Sequence, residues 1–296
     1  MNQSSKKIIY SCLLLTTAII WGMGFVVVKN SLDYISTLYL LAFRFTVGFI
    51  GMTLISIKYL RHITKKNLIQ GMVLGGCMFT AFWFQIEAVN YTTVGKNAFL
   101  TAAYVVFVPL LYWLIFHKRP TLQIIFATFL CFSGIGLLSL DSSLSMNLGD
   151  LLTIICAIFY ALHILFSDQF IEKGCSPMIL NVLQLGFAGL YAWIFALIKD
   201  PFPARGFQQD SIVGILYLGI CCTMLGFLFQ ALGQKHTSPS TASILLSTES
   251  VFGVIFSTIF LKERMTFQMI VGCVIIFIAL ILAQVEIKIF KEKKKC

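Results

Sequence analysis

The chain has 296 residues, 58% of them hydrophobic and 11% charged, with a mean hydropathy of +0.90. A water-soluble domain needs far more polar surface than this, so a soluble enzyme or binding module is excluded and an all-α membrane protein is expected. The formal net charge of +10 does not indicate a nucleic-acid partner, because Lys and Arg fall in short clusters between apolar runs and no basic face carries aromatics.

In chain order, the first apolar run follows Lys6 and Lys7 and covers about 20 residues without a small-residue cleavage site, so it reads as a retained span rather than a secretory signal. A membrane helix needs about 20 mostly apolar residues. Ten stretches meet that requirement: 8–29, 36–58, 67–88, 94–116, 121–140, 149–170, 176–198, 211–232, 240–261 and 266–288. Pro109 is expected to bend the fourth. Connections are short, the longest being "KDPFPARGFQQD" from Lys199 to Asp210, and none holds a soluble domain. With ten spans both termini share a side, and that side collects 15 of the Lys and Arg residues against 6 on the other. Cationic loops face the cytoplasm, so both termini are expected there, in the plasma membrane, with a basic tail at 289–296.

Seven of the nine cysteines lie inside apolar runs and no CxxC pair occurs, so neither a disulfide framework nor a metal site is read. No GxxxxGK[ST], HExxH or GxSxG signature is present. No cofactor is expected.

The chain repeats itself. At an offset of 145, "QIEAVNYTTVGKNAFL" from Gln85 runs against "QALGQKHTSPSTASIL" from Gln230, and the register continues to "KRPT" (118–121) against "ERMT" (263–266). At a slightly shorter offset "AIIWGMGFVVVK" from Ala18 meets "AIFYALHILFSD" from Ala157, bringing Trp21 onto Tyr160. Each half, 8–140 and 149–288, then holds five spans. Five is odd, so the two halves enter the membrane in opposite orientations. Inverted repeats of this kind place a binding site near the midplane and work by alternating access.

Those stretches, with "FRF" (43–45), "YTTVGKNAFLTAAYVVFVPLL" in the fourth span and "STESVFGVIFSTIFLKERMT" in the ninth, resemble the EamA family of the drug/metabolite transporter superfamily over essentially the full length. The resemblance implies a ten-helix, two-repeat transporter, usually an exporter of amino acids or other small metabolites, although importers also occur. Ser250 departs from the family, which often has Pro after the Glu, so a kink expected there is missing or moved.

Ionisable groups inside spans cost roughly 2.5–3.5 kcal/mol each at the helix centre and are functional candidates by default. Glu249 lies near the middle of the ninth span. Tyr104 is its counterpart in the repeat register, sharing a face of the fourth span with Asn97, Thr101 and Val108. A protonated Glu249 that merely hydrogen-bonds a neighbouring helix is the plain alternative. Arg44, inside the second span, suits a substrate carboxylate; an ion pair with Glu249 or snorkelling to a headgroup would serve it as well. Trp21, Trp83, Tyr104 and Tyr160 offer faces for stacking on a substrate, or simply pack. His163 and Glu249 are candidates for carrying a coupling proton, and a hydrogen-bonded core histidine is the alternative for the former. Gln85 and Gln230, at matching positions, suggest gating or capping. Gly71 and Gly75, Gly48 and Gly51, and Gly134 and Gly136 read as packing surfaces.

The sequence therefore leads to a secondary transporter, most simply an exporter, of a small polar metabolite. A zwitterionic amino acid fits, with its ammonium at Glu249 and its carboxylate at Arg44. The substrate and the lipid bilayer are the expected partners, with a coupling proton and a homodimer admitted and no nucleic acid. Uptake of a cationic metabolite such as a quaternary amine is the rival within transport. A non-transporting membrane sensor is the rival from another class, and an embedded lipid enzyme finds no His/Asp/Glu cluster to support it.

Overall fold

A computed structural model describes residues 3–92, 94–139, 147–202, 208–262 and 267–284, and all its regular elements are helical. The basic tail at 289–296 and the "ERMT" stretch at 263–266 lie outside the described residues. The chain runs through α1 (Gln3–Leu32), α2 (Thr37–Ser56), a 3₁₀ turn (Leu60–His62), α3 (Lys65–Ala88), α4 (Val94–Ala102), α5 (Tyr104–Phe116) and α6 (Leu122–Ser139). It continues with α7 (Leu148–Glu172), α8 (Pro177–Lys199), α9 (Gln209–Leu216), a π-helical stretch (Tyr217–Leu225), α10 (Gly226–Gln234), α11 (Pro239–Leu246), α12 (Glu249–Phe260) and α13 (Phe267–Gln284).

Among the described residues, seven helical segments are long and apolar enough to cross a membrane: Ile8–Leu32, Thr37–Ser56, Lys65–Ala88, Leu148–Glu172, Pro177–Lys199, Ser211–Gln234 and Pro239–Phe260. Shorter apolar helices occupy Leu100–Phe116, Leu122–Gly134 and Ile270–Ala283. Their ends are set by local chemistry. Thr64 caps α3 and is capped in return by Asn67, and Asn147 and Asp150 do the same for α7. Pro177 and Pro239 open α8 and α11, where a missing N–H costs nothing. Gly174 ends the α7–α8 turn at φ 88°, a conformation that favours glycine.

Three of the expected spans are not continuous α-helices. The fourth breaks at Ala103 rather than bending at Pro109, which sits inside α5. The ninth breaks at Ser247–Thr248, just before Glu249, so the kink is moved ahead of Ser250 rather than lost. Hydroxyls make that break without proline. Ser247 Oγ donates to the Ile244 carbonyl (2.8 Å), Thr248 Oγ1 to Leu245 (2.7 Å) and Ser250 Oγ to Ser247 (2.8 Å). Side chains that return to the backbone in this way satisfy groups a break would otherwise leave bare in hydrocarbon. The eighth span widens into the π stretch, where Thr223 Oγ1 donates five residues back to the Leu218 carbonyl (2.7 Å).

The centre of the bundle is formed by α1, α3, α4, α7, α10 and α12. α1 lies along α12 and α10, and α7 along α3, α4 and α5. On one flank α2 and α8 pack together, and on the other α6 and α13 do. Small residues permit the closest approaches: a Cβ on Gly22 would stand 2.6 Å from the Cβ of Phe252 in α12. Gly48 packs on Thr223, and Gly75 on Phe187 and Gln184 of α8.

Candidate functional site

One cavity lies at this centre. Trp21, Gly24, Phe25 and Val28 of α1 line it, with Arg44 of α2, Phe82, Gln85, Ile86 and Val89 of α3, Asn97 of α4, Tyr160 of α7, Leu218 and Cys222 of the π stretch and Glu249 of α12. Its volume is about 30 Å³, room for roughly two water molecules. A metabolite therefore requires the walls to part.

Glu249 is the first residue of α12 and only 4% exposed. The break ahead of it sets the N-terminus of a half-helix inside the bundle, the kind of feature that faces charged groups in transporters. Its carboxyl interacts with the side chain of Tyr104. The Tyr104 hydroxyl lies beside it, is fully buried, and completes no hydrogen bond. Tyr104 is itself the first residue of α5, so both helix interruptions deliver their polar residue to the same place.

Arg44 is 2% exposed, which excludes snorkelling. Its Nε donates to Thr223 Oγ1 (3.0 Å), and the guanidinium carbon sits 4.2 Å from the centroid of the Phe82 ring, a cation–π contact in a desolvated setting. Among the described residues no ion pair joins Arg44 to Glu249, and the Nη groups of Arg44 make no hydrogen bond. The internal pair that the sequence admitted is therefore absent. A carboxyl group and a guanidinium line one cavity without meeting.

The remaining polar groups form a scaffold. Trp21 Nε1 donates to the Cys222 carbonyl (2.8 Å), possible because Gly226 leaves room for the indole. Asn97 Nδ2 donates to the Gln85 carbonyl (2.8 Å) and to Thr153 Oγ1 (3.3 Å), while its Oδ1 is buried without a partner. Gln85 Nε2 donates to Thr101 Oγ1 (3.2 Å), which places Thr101 one step behind the wall.

Aromatic rings close the cavity. Trp21 lies 6.5 Å from Tyr160 and 5.0 Å from Phe227, and Phe82 lies 5.3 Å from Tyr160 and 5.8 Å from Phe227, as ring centroids.

Two sequence candidates sit elsewhere. Trp83 faces a separate opening near the ends of α3 and α8, with Lys199 Nζ 4.8 Å from its ring centroid. His163 lies beyond Phe227 (5.3 Å between rings), its Nε2 hydrogen-bonded to Gln184 Oε1 at 2.9 Å. Gln184 in turn donates to Asn181 Oδ1 (2.7 Å). The sequence reading missed Phe82, Cys222 and Thr223. For Thr223 the signal was a hydroxyl inside the apolar run "GICCTML"; for Phe82 it was the repeat register, which pairs it with Phe227.

The sequence profile of the EamA-like transporter family matches residues 8–140 and 147–284. An uncharacterized transporter of Archaeoglobus fulgidus is 29% identical over 272 residues, covering 91% of this chain and 84% of the relative. The uncharacterized transporter YvbV of Bacillus subtilis is 21% identical over 287 residues, covering 93% and 92%. A solved crystal structure of a protein superposes with a TM-score of 0.77 at 13% identity, over 95% of this chain and 97% of the other; at that identity the likeness shows the fold alone. Matched along both halves, this chain belongs to the EamA-like transporter family, a family of membrane transporters rather than enzymes.

Proposed function

We propose that the protein is a secondary transporter that exports a small zwitterionic metabolite of the amino-acid class by alternating access. The observation that carries this reading is the cavity with Glu249 on one wall and Arg44 on another, unpaired. An isolated buried charge is expensive, and two that do not meet remain so until something bridges them. A zwitterion does this with its ammonium on the carboxylate and its carboxylate on the guanidinium fork. Export is the direction the family resemblance supports.

Ten spans in two inverted repeats, 8–140 and 149–288, are the architecture proposed for this mechanism. Three contacts support it. Residues paired by the repeat registers meet in or just behind the cavity wall: Trp21 with Tyr160 (6.5 Å), Phe82 with Phe227 (5.8 Å), and Tyr104 with Glu249. A twofold axis through these contacts would exchange the halves. The interruptions at Ala103 and Thr248 fall on equivalent positions of the same register. Packing agrees, since α1 lies on α12 as α7 lies on α5, and α1 on α10 as α7 on α3. Both termini are assigned to the cytoplasm from the charge of the loops.

Glu249 is further proposed to exchange a proton for the substrate ammonium, because one carboxylate cannot hold both. As pH falls, protons then compete with substrate and half-saturation rises, and Glu249→Gln removes that dependence.

Counterflow in proteoliposomes with a labelled amino-acid mixture tests the reading. Selective accumulation by the wild type, reduced at least about tenfold in Glu249→Gln at matched reconstitution, is expected for loss of a charged hydrogen-bond partner. Accumulation of quaternary amines in place of amino acids would instead favour a cation carrier.

A further inference from the structure

Away from the central cavity, a second carboxylate is buried with nothing to hold. Asp168, near the C-terminal end of α7, is 4% exposed, and its Oδ2 has no hydrogen-bond partner. It lines a cavity of about 390 Å³ between the ends of α5 and α7 and the α10–α11 turn. Thr237 of that turn lines the same cavity, 8% exposed, and its hydroxyl is also unpartnered. A carboxylate and a hydroxyl left without donors make an acceptor site, and a buried acceptor costs free energy until a donor arrives.

Lys235 lines the same cavity, while Lys118 and His236 have contacts of their own. Lys118 Nζ is held by Glu172 (3.1 Å) and lies 5.4 Å from the Tyr112 ring centroid, and those contacts raise its pKa above the ordinary lysine range, the Glu172 hydrogen bond first. His236 stacks on Tyr10 at 4.1 Å. Among the described residues no ion pair reaches Asp168.

We infer that Asp168 and Thr237 form a second binding site, at the cytoplasmic mouth, for the ammonium group of the transported solute. This rests on the transport reading given above. An ammonium offers three donors on a point charge, whereas a bare metal ion requires a closed cage of about six oxygens, and here two buried, unpartnered acceptors belong to side chains that line a roomy vestibule. Asp168 lies eight residues beyond Tyr160 on α7, about 12 Å of helical rise, and Phe227 packs on Trp21 on one side and His163 on the other. For an exporter the vestibule is the loading side. Solute bound by its amine at Asp168 passes to Glu249 when the helices between them part.

The test measures half-saturation separately at each face of orientation-sorted proteoliposomes, using whichever labelled amino acid the wild type accumulates. Asp168→Asn is expected to raise cytoplasmic half-saturation about tenfold, and Thr237→Val a few-fold, each well beyond any change at the outer face. Equal changes at both faces, or none, would overturn the inference, as would a sodium dependence of transport that Asp168→Asn abolishes. If Asp168→Asn does not fold, Thr237→Val and the charge-retaining Asp168→Glu decide by the same asymmetry. Should the wild type accumulate no amino acid, the transport reading fails separately. The vestibule is then judged by calorimetric titration of the solubilised protein with methylammonium: heat lost in Asp168→Asn supports the site, and heat equal to wild type rejects it.

Discussion

Arg44 shows how a single residue can be conspicuous in sequence while its role is set by neighbours the sequence hides. A cation in an apolar span stands out at once. That its guanidinium sits over Phe82 and donates to Thr223 follows from the meeting of α2, α3 and the π stretch. Lysine cannot reproduce a planar fork stacked on a ring. Arg44→Lys is therefore expected to lower transport efficiency about tenfold, the loss of one charged, oriented contact, with little change in Tm; full transport by this variant would remove the substrate carboxylate from that wall. Glu249 was legible in the same way, and so was Tyr104 through the repeat register. The aromatics were not. Trp21 and Trp83 are the same residue type in equally apolar spans, yet one lines the cavity and the other a separate opening. In a membrane both the lipid face and the core face are apolar, so the 3.6-residue hydrophobic period that orients a soluble helix is weak.

The helix interruptions are the elements' contribution to the site. From sequence, Pro109 marked the bend in the fourth span and the absence of proline after Glu249 left the ninth in question. Both breaks instead fall just ahead of Tyr104 and Glu249. At Ser247–Thr248–Ser250 hydroxyls bonded to carbonyls three residues back supply what proline supplies elsewhere. Ser250 thus lies in the first turn of α12, where proline is tolerated. Ser250→Pro is expected to fold with Tm within a few degrees of wild type. Val254→Pro, in the interior of the same helix, should cost about 3 kcal/mol or more. Equal destabilisation by the two would mean that the ninth span is effectively continuous.

At the scale of the whole molecule, composition alone excluded a soluble protein, and seven of the ten apolar stretches fall on helices long and apolar enough to cross a membrane. What composition could not give was the pairing of helices, which depends on small residues distributed through several spans. The α1–α12 approach at Gly22 is among the tight ones around the cavity. Gly22→Leu should overpack it against Phe252 and destabilise by about 1–3 kcal/mol, read as a lowered Tm in detergent; an unchanged Tm would show that the two helices separate freely. The inverted-repeat proposal further predicts that tags at both termini are protease-accessible from the cytoplasmic side alone. Protection of one tag and cleavage of the other would require an odd number of spans and would end the twofold argument.

The central claim is that Glu249 and Arg44 grip opposite ends of a zwitterion. The most direct measurement competes labelled counterflow with an amino acid, its decarboxylated amine and its deaminated acid, in wild type, Glu249→Gln and Arg44→Gln. The account predicts that in the wild type the zwitterion competes at least about tenfold better than either fragment. Glu249→Gln should erase its advantage over the acid, and Arg44→Gln its advantage over the amine. A wild type that ranks the amine with the zwitterion, or variants that keep the wild-type ranking, would contradict it.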